Sequence, residues 1–337
     1  MQKIIPIKPI DQQRVNPKCK EIYIELFTDC NIRCDFCCLA DKATEFSKTH
    51  ILQQLDAFNT IIDKLETKQL TLHVMGGEMF MDKLPRDEMI ASYDEFFAKL
   101  YAKLKQCGIS SKLNISTNLL HHNVDIALYL SRKYGFSINA SFDLSGRFSK
   151  TKQLKLFLEN LSMIANSTDQ FTIGVVLHRQ NYLAIKDKSK LETKIFDNLY
   201  ERYANKINFE YFDEVNQAPQ FNIFNEELID FLILLTRRYP KLPISHSLIA
   251  QANKVSTTDE YCLSYTRIVN GKIFSNCDAS IMLHELKKQF IMRNNCLMCE
   301  YYKFCGLTCY RIFKNKTCVL KPVCDYIKND TNLSGRA

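Results

Sequence analysis

Between residues 21 and 238, six short apolar segments alternate with six amphipathic ones, and this alternation restricts the chain to a parallel β/α architecture. The strand candidates are 21–27, 70–75, 112–116, 136–142, 171–177 and 206–211, each rich in β-branched, aromatic or leucine residues. The helix candidates lie near 48–67, 87–106, 122–134, 151–166, 188–204 and 225–238, with apolar residues recurring three and four apart. Six such units predict an α/β fold, an open, partial (β/α)6 TIM-like barrel over 21–240 preceded by a polar arm at 1–20. Past Pro240 and Pro243 the periodicity weakens and cysteine becomes dense. The reading is therefore a linker at 241–258 and a smaller metal-stapled domain over 259–330.

A chain of 337 residues has room for that pair of domains. With 46% hydrophobic and 24% charged residues it has an ordinary globular composition, and no run reaches the roughly 18 apolar residues of a membrane span. Residues 1–15 carry charges and two prolines where an export signal needs a continuous apolar stretch, so a cytoplasmic location is expected. Fourteen cysteines in that setting point to metal binding in place of a disulfide framework. The net charge of +8 is spread over dispersed lysines; it describes a solvated surface, suits an acidic peptide partner equally well, and disfavours nucleic acid.

The first chemical motif is Thr28-Asp29-Cys30-Asn31-Ile32-Arg33-Cys34-Asp35-Phe36-Cys37, three thiols within eight residues just beyond the first strand candidate. Such spacing serves a compact metal centre. Three thiolates on a four-iron cluster leave one iron open to a small chelating molecule. A zinc site needs a fourth ligand, which His50 or His73 would have to supply from a distance in sequence.

The C-x3-C-x2-C spacing with an aromatic residue before the third cysteine resembles the loop of the radical S-adenosylmethionine (SAM) superfamily, and all of these positions match. The resemblance implies that SAM chelates the open iron. One electron then splits it into methionine and a 5′-deoxyadenosyl radical, which removes a hydrogen atom from the substrate. Met75-Gly76-Gly77-Glu78 closes the second strand candidate in a chain with only nine glycines. Glycines allow close backbone approach, and a glutamate can accept from an ammonium group. The alternative is a plain strand-to-helix turn; in the resembled family a Gly-Gly-Glu segment here contacts the SAM amino group. Ser116 and Asn118 at the end of the third strand, Ser141 at the end of the fourth, and Phe36 complete the SAM-contacting positions that the resemblance implies. Two departures stand out: Leu119 takes the place of a frequent glycine, and the loop after Ser141 is short, with Arg147 its only nearby arginine.

At the other end, Cys296-x2-Cys299-x5-Cys305-x3-Cys309 follows Cys262 and Cys277 and precedes Cys318 and Cys324. Tetrahedral thiolate binding suits two zinc ions or two iron–sulfur clusters. The C-x2-C-x5-C-x3-C spacing resembles the SPASM extension of radical SAM enzymes, which holds two auxiliary [4Fe-4S] clusters and brings the implied total to three. That resemblance implies Cys262, Cys277 and Cys309 on the first auxiliary cluster, with Cys318 or an open iron completing it. It implies Cys296, Cys299, Cys305 and Cys324 on the second. Cys19, Cys38 and Cys107 fit no pattern.

Asp278, directly after Cys277, matches a position that serves as the base in sulfatase-maturing relatives. The resemblance implies a peptide maturase that forms a crosslink or related oxidation in a ribosomally made precursor, with a reductant such as flavodoxin or ferredoxin. Only about twenty residues precede the first strand, so leader recognition is expected to use a separate leader-binding protein or the barrel face itself. Formylglycine-type sulfatase maturation, radical dehydrogenation of a small molecule, and a non-catalytic zinc-binding protein are the competing readings.

Overall fold

The computed structural model describes residues 17–37, 44–145, 147–148, 151–189, 191–211, 219–254, 265–275, 288–304, 317–330 and 333. Cys38, Cys262, Cys277, Asp278, Cys305 and Cys309 lie outside them. The alternation read from the sequence forms six strands, β1 (Glu21–Glu25), β2 (Gln69–Met75), β3 (Ser110–Thr117), β4 (Ser137–Phe142), β5 (Phe171–Leu177) and β6 (Ile207–Tyr211). The helices along them are α1 (Lys48–Ile62), α2 (Arg86–Gln106), α3 (Val124–Tyr134), α4 (Thr151–Ser167), α5 (Arg179–Lys186), α6 (Leu191–Tyr203) and α7 (Asn225–Arg238). α8 (Pro243–Ala252) occupies part of the segment read as a linker, β7 (Tyr265–Val269) and β8 (Lys272–Ser275) form a hairpin, and α9 (Leu320–Asn329) follows. The sheet order is β6-β5-β4-β3-β2-β1-β7-β8, parallel throughout except for the β7–β8 pair. This is a mostly parallel α/β sheet of the partial TIM-barrel kind.

A parallel sheet with helices on both faces reads as continuous apolar runs, because both faces are buried. Here the strands keep a period of two. Ile22, Ile24, Leu72, Val74, Ile115, Ile138 and Ala140 are completely buried, the burial of each branched side chain among them being worth roughly 1.5–3 kcal/mol. Tyr23, His73, Met75, Ser116, Asn139 and Ser141, on the opposite face, are only half-buried. One face therefore packs under helices while the other stays partly exposed and carries most of the polar strand residues. A one-residue slip would exchange the two sets, so the pattern fixes the register.

Local chemistry sets the helix ends. Ser47 accepts a hydrogen bond from His50 N at 3.5 Å to start α1, whose Ile51, Leu55, Phe58 and Ile62 face the core. α3 stops at Gly135, which takes a left-handed φ of 68° and returns its N–H to the Ser131 carbonyl at 2.7 Å. α7 serves two cores: Phe231 and Leu235 pack into the barrel, Leu228 and Leu232 into a second cluster with α8 and α9.

β7 runs parallel to β1 from Tyr265 beside Glu21 to Val269 beside Glu25. The Arg267 guanidinium pairs with the buried Glu25 carboxylate, its Nε donating at 3.0 Å. Gly271 N at the hairpin turn donates to Gln54 Oε1 on α1 at 2.9 Å, and Cys19 Sγ lies 3.3 Å from Thr266 Oγ1. No helix among the described residues is long and apolar enough to cross a membrane.

His73 on β2 stacks on its cross-strand partner Tyr23 at 4.4 Å and 9°. Burial pushes its pKa down from 6.5 to about 4. Between those values the unfolded chain takes up a proton that the folded chain refuses, so stability falls as pH drops through this window, by up to about 3 kcal/mol. His73→Phe keeps the stack and is expected to flatten the slope of urea midpoint against pH between about 6.5 and 4. An unchanged slope at equal metal loading refutes the assignment.

Candidate functional site

The site is built where β1, β2 and β3 end. Beyond β1, Leu26 N donates to Met75 O (2.8 Å), Gly77 N to Phe27 O (2.9 Å) and Glu78 N to Asp29 O (3.0 Å), so the segment leading to the cysteines lies flush against Gly76-Gly77-Glu78. Its other side is held by Thr44, whose carbonyl accepts from Thr28 N and Asp29 N at 3.0 Å and whose N–H donates to Thr28 Oγ1 at 2.6 Å. Lys83 pairs with Asp29 at 2.5 Å. The approach at Gly77 is so close that a Cβ there would stand 1.9 Å from the Asp29 carbonyl oxygen. Glycine is required for that reason.

Glu78 is 1% exposed and turned inward. Its Oε1 accepts from Phe80 N (3.1 Å) and Thr117 Oγ1 (2.8 Å), and its Oε2 from Asn118 N (2.6 Å). The carboxylate thus clamps the end of β3 to the end of β2. Asn118 in turn donates through Nδ2 to Asn31 Oδ1 (2.8 Å) and reaches Cys30 Sγ (3.6 Å), while its Oδ1 accepts from Leu120 N (2.8 Å). Asn31 Nδ2 donates back to Leu120 O at 2.6 Å. Leu119 between them is fully buried with a left-handed φ of 56°. The frequent glycine of the resembled family would take that backbone without cost, whereas a leucine costs roughly 1–2 kcal/mol there. Asn160 of α4 holds the turn by donating to Leu119 O (2.9 Å) and His121 O (2.7 Å).

Phe36, 8% exposed, leans on His178 (5.2 Å between ring centroids) and Phe221 (5.4 Å), with the Arg147 guanidinium 5.7 Å above its ring. Beneath it lies a network that sequence reading did not find. His178 Nδ1 accepts from Asn181 N (3.1 Å), which places the ring proton on Nε2, donating to Asp143 Oδ2 at 2.7 Å. Asp143 also accepts from Asn181 Nδ2 (2.9 Å) and Ser145 N (2.8 Å). Asp143 and His178 are separated by 35 residues but lie just beyond β4 and β5, which pair side by side. The available signal was a histidine directly after a strand with an asparagine three residues on, a helix N-cap. On the partly exposed sheet face, Ser116 Oγ accepts from Asn139 Nδ2 (3.5 Å) and Asn139 Oδ1 from Thr172 Oγ1 (3.1 Å), with Ser141 two residues further along β4.

Burial pushes the Cys30 thiol up to about 11, helped by the Glu78 charge, and raises Cys34 against the opposing pull of Arg147. Such thiols ionise when a cation sits on the sulfur. Arg147 Nε is buried with no hydrogen-bond partner among the described residues. Thiols beside a guanidinium nitrogen that no described residue satisfies fit a metal cluster carrying an anionic ligand. Among the described residues no three His, Cys, Asp or Glu side chains converge closely enough to share one ion. Thiolates on separate irons of a cluster stand farther apart than ligands of a single ion.

In the C-terminal part, Cys296, Cys299, Cys318 and Cys324 line one cavity with Gln251, Tyr301 and Lys321. Burial raises Cys296 to about 11 and Cys324 to about 12, each helped by the Cys318 sulfur.

No family model and no curated protein matches this sequence. Among solved structures, the chain is similar to native anSMEcpe with bound AdoMet, at 13% identity and a TM-score of 0.59 over 93% of this chain and 96% of that one. It is also similar to anSMEcpe with bound AdoMet and the Cp18Cys peptide, at 12% identity and a TM-score of 0.56 over 86% and 88% of the two chains. The complex with the Kp18Cys peptide gives 13% and 0.57 over 85% and 88%. At this identity the likeness is one of fold, and it spans nearly the whole of both chains. The chain therefore has the partial TIM-barrel fold of radical SAM enzymes such as anSMEcpe.

Proposed function

We propose that this chain is a radical SAM enzyme acting on a peptide or protein. The observation that carries the reading is the convergence at the strand ends. Cys30 is linked through Asn118 to the end of β3, its loop lies flush on Gly77 at the end of β2, and beside Phe36 lies Arg147, whose Nε has no hydrogen-bond partner among the described residues. Cys30, Cys34 and Cys37 would hold a [4Fe-4S] cluster, which would supply the electron for reductive cleavage of AdoMet to a 5′-deoxyadenosyl radical. The protein's own part is placement. Gly76-Gly77 brings backbone against the loop, and Glu78 fixes Asn118. Arg147 is positioned for a carboxylate, Ser116 and Ser141 offer hydroxyls from the partly exposed sheet face, and Phe36 walls the site. Two auxiliary clusters on the C-terminal cysteines would take the electron left on the substrate, with Asp278 as the base that removes its proton.

A peptide substrate is supported by the partly exposed polar residues Ser116, Asn139 and Ser141 on one face of the sheet and by the peptide complexes of anSMEcpe, a protein that shares this fold. The test is anaerobic iron and sulfide determination on the purified chain, followed by AdoMet and dithionite with chromatographic detection of 5′-deoxyadenosine. The proposal expects several irons with matching sulfide and stoichiometric 5′-deoxyadenosine. Intact AdoMet in a protein without sulfide sinks it. Turnover on a small molecule with no peptide present sinks the substrate assignment alone.

A further inference from the structure

Two adjacent histidines lie between β3 and α3, and they face opposite ways. His122 is exposed and meets Asp82 at 2.8 Å, whereas His121 is completely buried. A buried imidazole needs a partner for each ring nitrogen. His121 Nδ1 accepts from Asn123 N at 3.2 Å, and burial holds the ring's pKa below its ordinary 6.5, so the ring is neutral with its proton on Nε2. That nitrogen stands 3.1 Å from Thr117 Oγ1 and 3.6 Å from Glu78 Oε1.

A threonine hydroxyl has one proton to give and two lone pairs to fill. Leu119 N (3.2 Å) and His121 Nε2 both donate to Thr117 Oγ1, which leaves its proton one direction, toward Glu78 Oε1 at 2.8 Å. With the other tautomer, Nε2 would compete with Glu78 for that proton. From Glu78 the bonds run on: Oε2 accepts from Asn118 N (2.6 Å), and Asn118 Nδ2 reaches Asn31 Oδ1 (2.8 Å) and Cys30 Sγ (3.6 Å). The far end is anchored as well. Asn160 Nδ2 donates to His121 O at 2.7 Å, and the Phe80 ring lies 5.6 Å from the imidazole.

We infer that His121 is a positioning residue for the cysteine loop and, through it, for AdoMet: its Nε2–H orients the Thr117 hydroxyl, which fixes Glu78, Asn118 and the segment carrying Cys30. The inference rests on the radical SAM reading proposed above and gives His121 no contact with AdoMet or substrate. A histidine that merely fills the core is the competing account. The two differ over a side chain that restores the donor. His121→Gln keeps an N–H at about the reach of Nε2, and His121→Leu fills similar space without one. Ser131→Ala deletes a different buried hydrogen bond, from α3 to Phe136 O at 2.7 Å, and serves as the control for lost stability.

Full-length variants are reconstituted anaerobically with iron and sulfide and titrated calorimetrically with AdoMet at equal cluster content. Metal-free samples are alkylated with iodoacetamide and mapped by mass spectrometry, with half-buried Cys107 as the reference thiol. His121→Leu is expected to weaken AdoMet binding about tenfold, the scale of one buried hydrogen bond, and to label Cys30 several-fold faster relative to Cys107. His121→Gln should stay close to the parent on both readouts, and Ser131→Ala should match the parent even where its thermal midpoint falls. Parent-like affinity and labelling in His121→Leu overturn the inference, as do equal losses in His121→Leu and His121→Gln. If Cys30 labelling follows the expected pattern but the parent binds no AdoMet, the positioning of the loop stands and the radical reading falls.

Discussion

Gly77→Ala is expected to reduce 5′-deoxyadenosine formation by on the order of a hundredfold or more, the scale of loss that a misplacement of about 1 Å produces in a pre-organised site. The new Cβ would fall 1.9 Å from the Asp29 carbonyl oxygen, 2.4 Å from its carbon and 2.5 Å from the Thr28 carbonyl oxygen. All three are backbone atoms in a segment held on its far side by Thr44, so no side chain can rotate away to make room. The cysteine loop itself must move, and the thiols it carries move with it. Gly76 is the internal control. A Cβ there meets the Phe27 carbonyl oxygen at 3.1 Å, which a shift of a few tenths of an ångström relieves. Gly76→Ala should retain activity within a few-fold. Measured side by side at equal folded fraction, equal rates for the two variants would show that the Gly77 contact does not position the loop.

Asp143→Ala is expected to destabilise the barrel by about 3–5 kcal/mol, because it strands three donors that the carboxylate now satisfies in the interior. These are His178 Nε2, Asn181 Nδ2 and Ser145 N, and both Asp143 and His178 are completely buried. Asp143→Asn should cost less. Turned with its amide nitrogen toward Ser145 N, it keeps an acceptor for the other two. The thermal midpoint of Asp143→Ala should fall by roughly 5–10 °C. Because the His178 ring supports Phe36, AdoMet affinity should weaken as well. An alanine variant that melts within 2 °C of the parent would show the network to be dispensable.

How legible these features were from sequence depends on the distance over which each is written. The six barrel strands were legible because alternation within a few residues sets the buried face; the Gly76-Gly77 pair reads in sequence as backbone approaching a ligand, whereas Gly77 lies against the backbone of Asp29, nearly fifty residues earlier. The inward turn of Glu78 was not legible, since its partners Thr117 and Asn118 arrive from another strand. The same holds for the Asp143–His178 pair, whose partners meet only through the β4–β5 register. Leu119 shows the opposite case. Its departure from glycine was visible in sequence, and the backbone nonetheless takes the glycine conformation, held by Asn160. α5 was missed because eight residues follow directly on a strand, too short a run for periodicity to register. Pairing of β7 with β1 spans more than two hundred residues, a separation at which local pattern says nothing about partners.

That pairing has a consequence for any attempt to cut the molecule into parts. β1 is the strand from which the cysteine loop springs, and its outer edge is covered by β7, more than two hundred residues further along the chain. A fragment ending near residue 258 would leave the backbone N–H and C=O groups of Glu21–Glu25 bare along that edge, with the Glu25 carboxylate stripped of Arg267. A naked strand of this kind is a template for edge-to-edge self-association. The six-stranded barrel and the β7–β8 hairpin thus form one solubility unit, and the strand that carries the cysteine loop is flanked by a partner more than two hundred residues further along the chain.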